Sequence, residues 1–472
     1  MQRVSRKLRE APGLPLCVLG VGFYRAWTET VYVNSGMQFP TQGPDAFTLY
    51  NAVSIVTLVI IALFAKRLAP FCRIPGVFVA TFLLMASSSL MNFLSVVHPD
   101  WGSALSLPAV LCGGVGISFI MMLWSEFYGC INPFRTALYY SASVILGAVV
   151  LWAFKGLLFW WLCVGAALLP LASLVSLAKS LAMLPADEQP HAAWGTFQFP
   201  VKPVALVALY SFAYGLRESL FFSSELGLHS SFGVLVPSVI VIVGMWFFRE
   251  RFKLSLIWKM ALPLMLLSLL PLDYMLPFGQ RFSDFCAVAS YTACLILMMV
   301  IMGNLSYRYG VCALWLFAIE RAVRLVAVLL GLGASSMMSA YVAAGWAEML
   351  LDAVIVLVMI ATTLLLLSEK ELCSTWGIVL DEIPADQEHM LEKNRLGMKC
   401  TELSAQFGLS SREEEVLLLL AQKKRRSTIE HELYIAESTL KTHIRHIYQK
   451  LGIHSKDELY DLVGIANAQG GS

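Results

Sequence analysis

Charge is scarce in this chain: Asp, Glu, Lys and Arg supply 14% of its 472 residues, where a soluble domain carries about 25%. Hydrophobic residues make up 58%, and the mean hydropathy is +0.70. That balance excludes an ordinary soluble globule and makes a membrane protein the starting expectation. Paired cysteines are missing as well. The ten cysteines, at 17, 72, 112, 130, 163, 286, 294, 312, 373 and 400, form no CxxC pair and sit mostly in apolar runs. They read as small hydrophobes, with no disulfide framework or metal site among them. Catalytic signals are equally thin: no nucleophile and base stand at an informative spacing, and no metal-ligand cluster is present. The GGVG at 113–116 and GLG at 331–333 follow no strand and precede no phosphate-binding lysine, which leaves them as small-residue helix contacts or bends. The chain is read as a non-enzyme with no metal and no cofactor. Its formal net charge of +2 identifies no partner, because local distribution matters more than the sum.

What the chain does have is long apolar runs. Arg3, Arg6, Lys7 and Arg9 precede the first, Leu14 to Val33. A signal peptide opens similarly, but this run holds Arg25 and Glu29 and ends without a small-residue cleavage site, so it reads as a retained first span. Twelve spans follow from the pattern: 14–33, 46–64, 74–97, 104–124, 134–153, 157–178, 202–224, 231–248, 255–272, 283–303, 309–330 and 344–368. Most approach the roughly 20 residues that cross the hydrocarbon core, where an unpaired backbone requires helix. With the N-terminus inside, the inner connections hold Lys66, Arg67, Arg73, Arg135, Lys179, Lys202, Arg249, Arg251, Lys253, Lys259, Arg308 and Lys370; the outer ones hold only Lys155 and Arg281. This asymmetry places both termini in the cytoplasm of a multi-pass protein.

The polar, Pro-containing connection 179–201 splits the bundle into residues 1–178 and 202–368. Each half opens with an arginine in an aromatic, small-residue context, GVGFYRAWTETVYV around Arg25 and YSFAYGLRESLFFS around Arg217 and Glu218. On span count and central loop, this 6+6 plan resembles the major facilitator superfamily. The connection after the second span, FAKRLAPFCRIPG, lacks the basic loop motif typical of transporters in that superfamily, a departure that touches transport more than fold.

Charges inside the runs are costly, roughly 2.5 to 3.5 kcal/mol each near the bilayer centre on insertion scales. Arg25 with Glu29, and Glu348 with Asp352, are four apart, while Glu320, Arg321 and Arg324 share a turn and its neighbour. Two readings stand open. These groups pair between helices and fix packing, or they line a ligand cavity. In the second reading Arg25, Glu29, Arg217, Glu218, Glu320, Arg321, Arg324, Glu348 and Asp352 are the candidate ligand residues. An arginine fork would suit a carboxylate or phosphate. The nearby Phe23, Tyr24, Trp27, Tyr210, Phe212 and Tyr214 either pack helices or wall a ring-bearing ligand.

From 369 to 408 the sequence turns polar and reads as a cytoplasmic linker. Residues 409–472 then change character. Apolar positions recur at helical spacing and fit four short helices, roughly 411–421, 427–434, 438–450 and 456–464, with a tight turn between the second and third. Ser410 or Ser411 is placed to cap the first helix, and Ser438 the third. The run Leu409, Ser410, Ser411, Arg412, Glu413, Glu414, Glu415, Val416, Leu417 and the stretch from Ser438 to Ile453 resemble the DNA-binding domain of the LuxR family, also called the NarL and FixJ type. Lys423, Glu430 and Ala436 stand where that family commonly has glycine, alanine and serine. The resemblance implies a helix-turn-helix whose 438–450 helix enters the major groove of double-stranded DNA. Thr439, Lys441, Thr442, Arg445 and His446 lie opposite Leu440, Ile444, Ile447 and Leu451 and are the candidate contacts, with Lys424, Arg425 and Arg426 for phosphates. His443 fits a core hydrogen bond or a phosphate contact. Glu413 and Glu415 are expected to pair with a basic residue of a later helix. Leu459, Tyr460 and Val463 of the fourth helix are expected to supply a homodimer surface or to pack internally. Ten basic and ten acidic residues from Lys399 to Ser472 imply modest nonspecific affinity and dependence on a partner head.

The expected protein is all-α: a twelve-helix, major-facilitator-like bundle with a four-helix helix-turn-helix domain. Its expected function is that of a one-component transcriptional regulator in the bacterial inner membrane, sensing an anionic or aromatic small molecule. A secondary transporter with an attached regulatory domain is the alternative.

Overall fold

The computed structural model describes residues 15–33, 39, 41, 44–154, 156–184, 189–190, 199–223, 227–247, 255–270, 277–309, 311–341, 354–358, 360, 400, 403–404, 406–421, 426, 429–430 and 437–463. The described residues are helix joined by short turns. The chain divides into two compact units, residues 1–307 with 311–380, and residues 308–310 with 381–472.

In the first unit the helices are α1 (Val21–Thr28), α2 (Pro44–Leu68), α3 (Val77–Val97), α4 (Gly102–Tyr128), α5 (Pro133–Phe154), α6 (Phe159–Ala182), α7 (Val201–Ser223), α8 (Gly227–Phe247), α9 (Ser255–Leu269), α10 (Gly279–Tyr309) and α11 (Ala313–Tyr341). They follow the apolar segments read from the sequence as far as residue 330. Six of the described helices are long and apolar enough to cross a membrane: α2 through α6, and α10. Leu63, Leu83, Trp152, Trp160, Trp161 and Leu330 stand more than 55% exposed, which suits side chains facing lipid and would be an aggregation liability in water.

The interior of this unit is held by close backbone approach and by hydroxyl pairs. α7 runs along α11, and the reason is glycine. A Cβ on Gly215 would lie 2.2 Å from the Val328 carbonyl oxygen, and one on Gly331 would lie 2.2 Å from that of Phe212. Small residues let helices meet where lipid offers no hydrophobic drive to push them together. The GGVG segment works the same way on α4, where Gly113 makes room for the Tyr32 ring, Gly114 for Val53 and Gly116 for Met85. Gly333, by contrast, faces open space. Tyr32 bonds Ser88 Oγ at 2.6 Å and donates to the Ala109 carbonyl at 2.8 Å, and Trp27 Nε1 donates to Ser89 Oγ at 2.8 Å. Trp27 is therefore a packing residue, fully enclosed.

Glu126, near the end of α4, is 3% exposed and accepts hydrogen bonds from the backbone N–H of Phe71 and Cys72 at 2.6 and 2.8 Å. It pins the short turn Phe71–Arg73 that links α2 to α3. A lone glutamate at a span end carries no sequence signal for this role, because its partners are backbone atoms 54 and 55 residues away.

The second unit contains α12 (Ser411–Ala421), α13 (Glu437–Leu451) and α14 (Lys456–Val463); between α12 and α13, Glu430 and Ile429 are also helical. The core joins Val416, Leu417, Leu420, Ile429, Leu440, Ile444, Ile447, Leu451, Ile453, Leu459 and Val463. Each such side chain contributes about 1.5 to 3 kcal/mol on burial. Cys400 and Leu403, inside the segment read as linker, are buried in the same core, so packing begins before residue 409. Gly452 ends α13 at φ +68°, and the Ile453 N–H returns to the Tyr448 carbonyl at 3.0 Å. That is the six-to-one bond of a left-handed helix stop, which glycine adopts without steric cost.

Candidate functional site

In the second unit, α12 begins with a reciprocal cap. The Glu413 N–H donates to Ser410 Oγ at 3.3 Å, and the Ser410 N–H donates to Glu413 Oε2 at 2.7 Å. Ser410 is thus the cap of the two serines considered. Lys450 Nζ, from the far end of α13, donates to Glu413 Oε2 at 2.7 Å and to the Gly408 carbonyl at 3.0 Å. This is the expected pairing of Glu413 with a later basic residue. These bonds hold the Glu413 carboxyl down to about 2, Lys450 first and the Ser410 N–H next. The side chain of Glu415 lies outside the described residues.

Because Lys450 locks α13 to α12 by one face, the opposite face stays open. Leu440, Ile444, Ile447 and Leu451 are buried, while Thr439, Lys441, Thr442, Arg445 and His446 are exposed. The amphipathic division read from the sequence is the one the fold adopts. Helix α13 starts at Glu437, one residue earlier than expected, so Ser438 sits inside the first turn. Its carbonyl accepts from Thr442 Oγ1 at 2.9 Å. His446 Nδ1 lies 3.7 Å from Glu413 Oε1, which turns that ring toward α12. His443 is half-buried.

Arg426, Lys441 and Arg445 are brought together around an open groove of about 590 Å³. Tyr448, Gln449 and His454 share the lining. Sequence reasoning missed these three. The signal for Gln449 was available, since Lys441, Arg445 and Gln449 recur every four residues and form one stripe of a helix. Lys441 Nζ is 2.7 Å from Glu437 Oε1, one turn back, with both side chains mostly exposed. That pair, mostly through Lys441, lowers the Glu437 carboxyl from its ordinary range. Lys424 and Arg425 lie outside the described residues.

The apolar residues of α14 are used internally. Leu459, Tyr460 and Val463 are 0%, 8% and 6% exposed, and Leu459 and Val463 belong to the head's own core. Of the two readings, internal packing is the one the fold shows for Leu459 and Val463, because a small head needs its few apolar side chains to close its own core. At the start of α14, Ser455 and Glu458 form a second reciprocal cap, with the His454 N–H donating to Glu458 Oε2 at 2.9 Å.

In the first unit the predicted charges separate into groups. The Glu29 N–H donates to the Arg25 carbonyl at the end of α1, and from Glu29 to Val33 the chain winds as a π-helix. Arg217 reaches across to α10 and donates to Ser283 Oγ at 2.5 Å, which in turn donates to the Ser268 carbonyl at 2.6 Å. Glu320, Arg321 and Arg324 are all buried on α11, at 4%, 6% and 8% exposure. Arg324 Nη1 donates to Tyr291 Oη at 2.7 Å, and its Nε lies 3.4 Å from Glu320 Oε1, an ion pair without hydrogen-bond alignment. Tyr291 is stacked on Tyr214, with ring centres 4.2 Å apart. Arg321 has softer company: Met121 Sδ at 3.3 Å, Ser125 Oγ at 3.4 Å and the Phe317 ring at 6.0 Å. The side chain of Glu218, and all of Glu348 and Asp352, lie outside the described residues. Among the described residues, no three His, Cys, Asp or Glu side chains gather as a metal site.

Residues 408–463 match the family of bacterial regulatory proteins, luxR family, GerE. A solved structure of a Major Facilitator Superfamily transporter, FucP, in the outward conformation aligns at 13% identity and TM-score 0.46, covering 75% of this chain and 98% of that chain. That likeness is too distant to carry an argument about activity. No curated protein matches the chain. The chain thus ends in a LuxR/GerE-type helix-turn-helix domain, attached to a multi-helix unit with membrane-spanning character.

Proposed function

We propose that this protein is a membrane-anchored transcriptional regulator whose α13 helix reads double-stranded DNA while its helical bundle binds a small molecule and controls the head. The observation that carries the reading is the exposed stripe Lys441, Arg445 and Gln449 on a helix fixed by its other face, within a domain that matches a family of bacterial regulators. Lys441 and Arg445 contact base edges or the adjacent phosphates, and Arg426 holds backbone phosphate across the groove. Thr439, Thr442 and His446 flank that surface. Lys424 and Arg425 extend the phosphate contacts by sequence. Neutral overall charge makes a single head a weak binder, so two copies act together on an operator. The bundle is a 6+6 arrangement of twelve spans in the bacterial inner membrane, with both termini in the cytoplasm, as the distribution of basic residues supports.

The test is a mobility assay with the purified full-length protein on DNA recovered from its own chromosomal occupancy sites. The double variant Lys441→Ala with Arg445→Ala loses binding by at least about 100-fold while remaining folded; unchanged binding removes the recognition surface. A second reading needs fewer steps: a secondary transporter carrying an attached regulatory or DNA-binding domain. It asks only for the two units and for no coupling between them. Directional accumulation of a ligand in reconstituted vesicles selects it; saturable binding without flux selects the regulator.

A further inference from the structure

The first unit buries one positive charge that no carboxylate among the described residues answers. Arg321 is 94% enclosed, from an exposure of 6%, yet among the described residues no carboxylate pairs with it. Glu320, its neighbour, is turned to Arg324. The Arg321 Nε has no hydrogen-bond partner, and its two terminal nitrogens meet a thioether and a hydroxyl. A guanidinium removed from water needs a counter-charge, because desolvation costs far more than a neutral acceptor returns.

The surroundings are aromatic. Tyr24 of α1 and Tyr128 of α4 lie within electrostatic reach of Arg321 and of Tyr140 on α5. The Tyr128 and Tyr140 rings meet edge to face, with centres 5.9 Å apart. Phe317 completes the circle from α11 itself. Four aromatic side chains from four helices therefore gather on the side of the unit where Arg321 is buried.

We propose that Arg321 and the tyrosines Tyr24, Tyr128 and Tyr140 form a binding site for an aromatic monocarboxylate. This rests on the reading that the bundle binds a small molecule, and it commits that molecule to one chemistry. The carboxylate takes the fork of Arg321, which matches two oxygens at once. The ring packs among the tyrosines. One unanswered guanidinium calls for one negative charge; a phosphate dianion would bring a second, buried and uncompensated. Arg324, answered by Glu320 and Tyr291, is a framework residue in this arrangement.

The experiment uses the full-length protein in lipid nanodiscs and three probes: benzoate, its neutral isostere benzamide, and inorganic phosphate. Benzoate raises the unfolding temperature in a saturable way; benzamide and phosphate leave it unchanged. In Arg321→Gln the benzoate affinity falls by at least about 30-fold, as expected for truncating a buried charge pair. Arg321→Lys keeps the charge but not the fork and falls between. Equal stabilisation by benzamide or phosphate, no shift with benzoate, or full benzoate affinity in Arg321→Gln each overturns the site. If Arg321→Gln fails to fold, the three probes on the unaltered protein still decide. Operator occupancy measured alongside separates the two claims: benzoate binding with unchanged occupancy keeps the site and removes the sensor, whereas occupancy without benzoate binding removes the site and leaves the DNA-binding reading standing.

Discussion

The head and the membrane unit each bury an ion, and they treat it in opposite ways. In the head, Glu413 is 5% exposed and accepts from Ser410 and Lys450, both at 2.7 Å. In the membrane unit, Arg321 is 6% exposed and meets a sulfur and a hydroxyl beyond 3.2 Å. A buried ion met by a cation and a backbone N–H of its own chain is structural. It fixes α12 to α13 and so sets which face of α13 is free. A buried ion left short of partners is costly to keep, and such costs persist where they serve a ligand. The comparison separates residues that hold the fold from residues that wait for something.

The largest test of that contrast on the structural side is Glu413→Gln. It removes the charge that Lys450 answers and weakens the cap of α12, so the head loses roughly 2 to 3 kcal/mol at neutral pH. Hydrogen exchange over residues 411–421 in the full-length protein reads this directly. The same residue predicts an acid limit. Its carboxyl sits at about 2 in the folded head against an ordinary 4.5, so its contribution is complete above 4.5 and drains away as pH falls toward 2. Head stability in the unaltered protein falls across that window, and Glu413→Gln shows a smaller fall. An unchanged profile would break the comparison on its structural side.

A smaller effect belongs to the bundle's framework. Gly331→Ala places a methyl 2.2 Å from the Phe212 carbonyl oxygen, forcing α7 and α11 apart at a cost of about 1 to 3 kcal/mol. The thermal midpoint of the protein in nanodiscs falls, and the benzoate affinity does not. A change in that affinity would mean that packing and binding cannot be separated in this unit. The smallest effect is Glu437→Gln. The Lys441–Glu437 pair is exposed, so stability stays where it was. Freed of its local partner, Lys441 meets phosphate more readily, and operator affinity rises a few-fold in the mobility assay.

Sequence legibility followed the range of the interactions. α13 was readable because its two faces are written into consecutive residues: Leu440, Ile444, Ile447 and Leu451 on one side, Lys441 and Arg445 on the other. The cap at Ser410 and Glu413 was readable because its partners lie three apart. Gln449 sat in plain view in the same stripe and was passed over. Glu126 was not readable at all, since it bonds backbone atoms that any sequence supplies. Leu459 and Val463 could face outward or inward on pattern alone, and the small size of the head settled them inward.

By itself, then, the sequence determined the class of this protein: a helical membrane unit ending in a LuxR-type head, with the groove-facing stripe of α13 and the glycine contacts of α4 and α11. Those follow from composition and from periodicities of three and four residues, which are local. Only the tertiary structure decided which charges are answered. Lys450 reaches Glu413 across 37 residues, and Met121 stands beside Arg321 across 200. Partnership at that distance is fixed by how helices pack, and packing is a property of the whole chain.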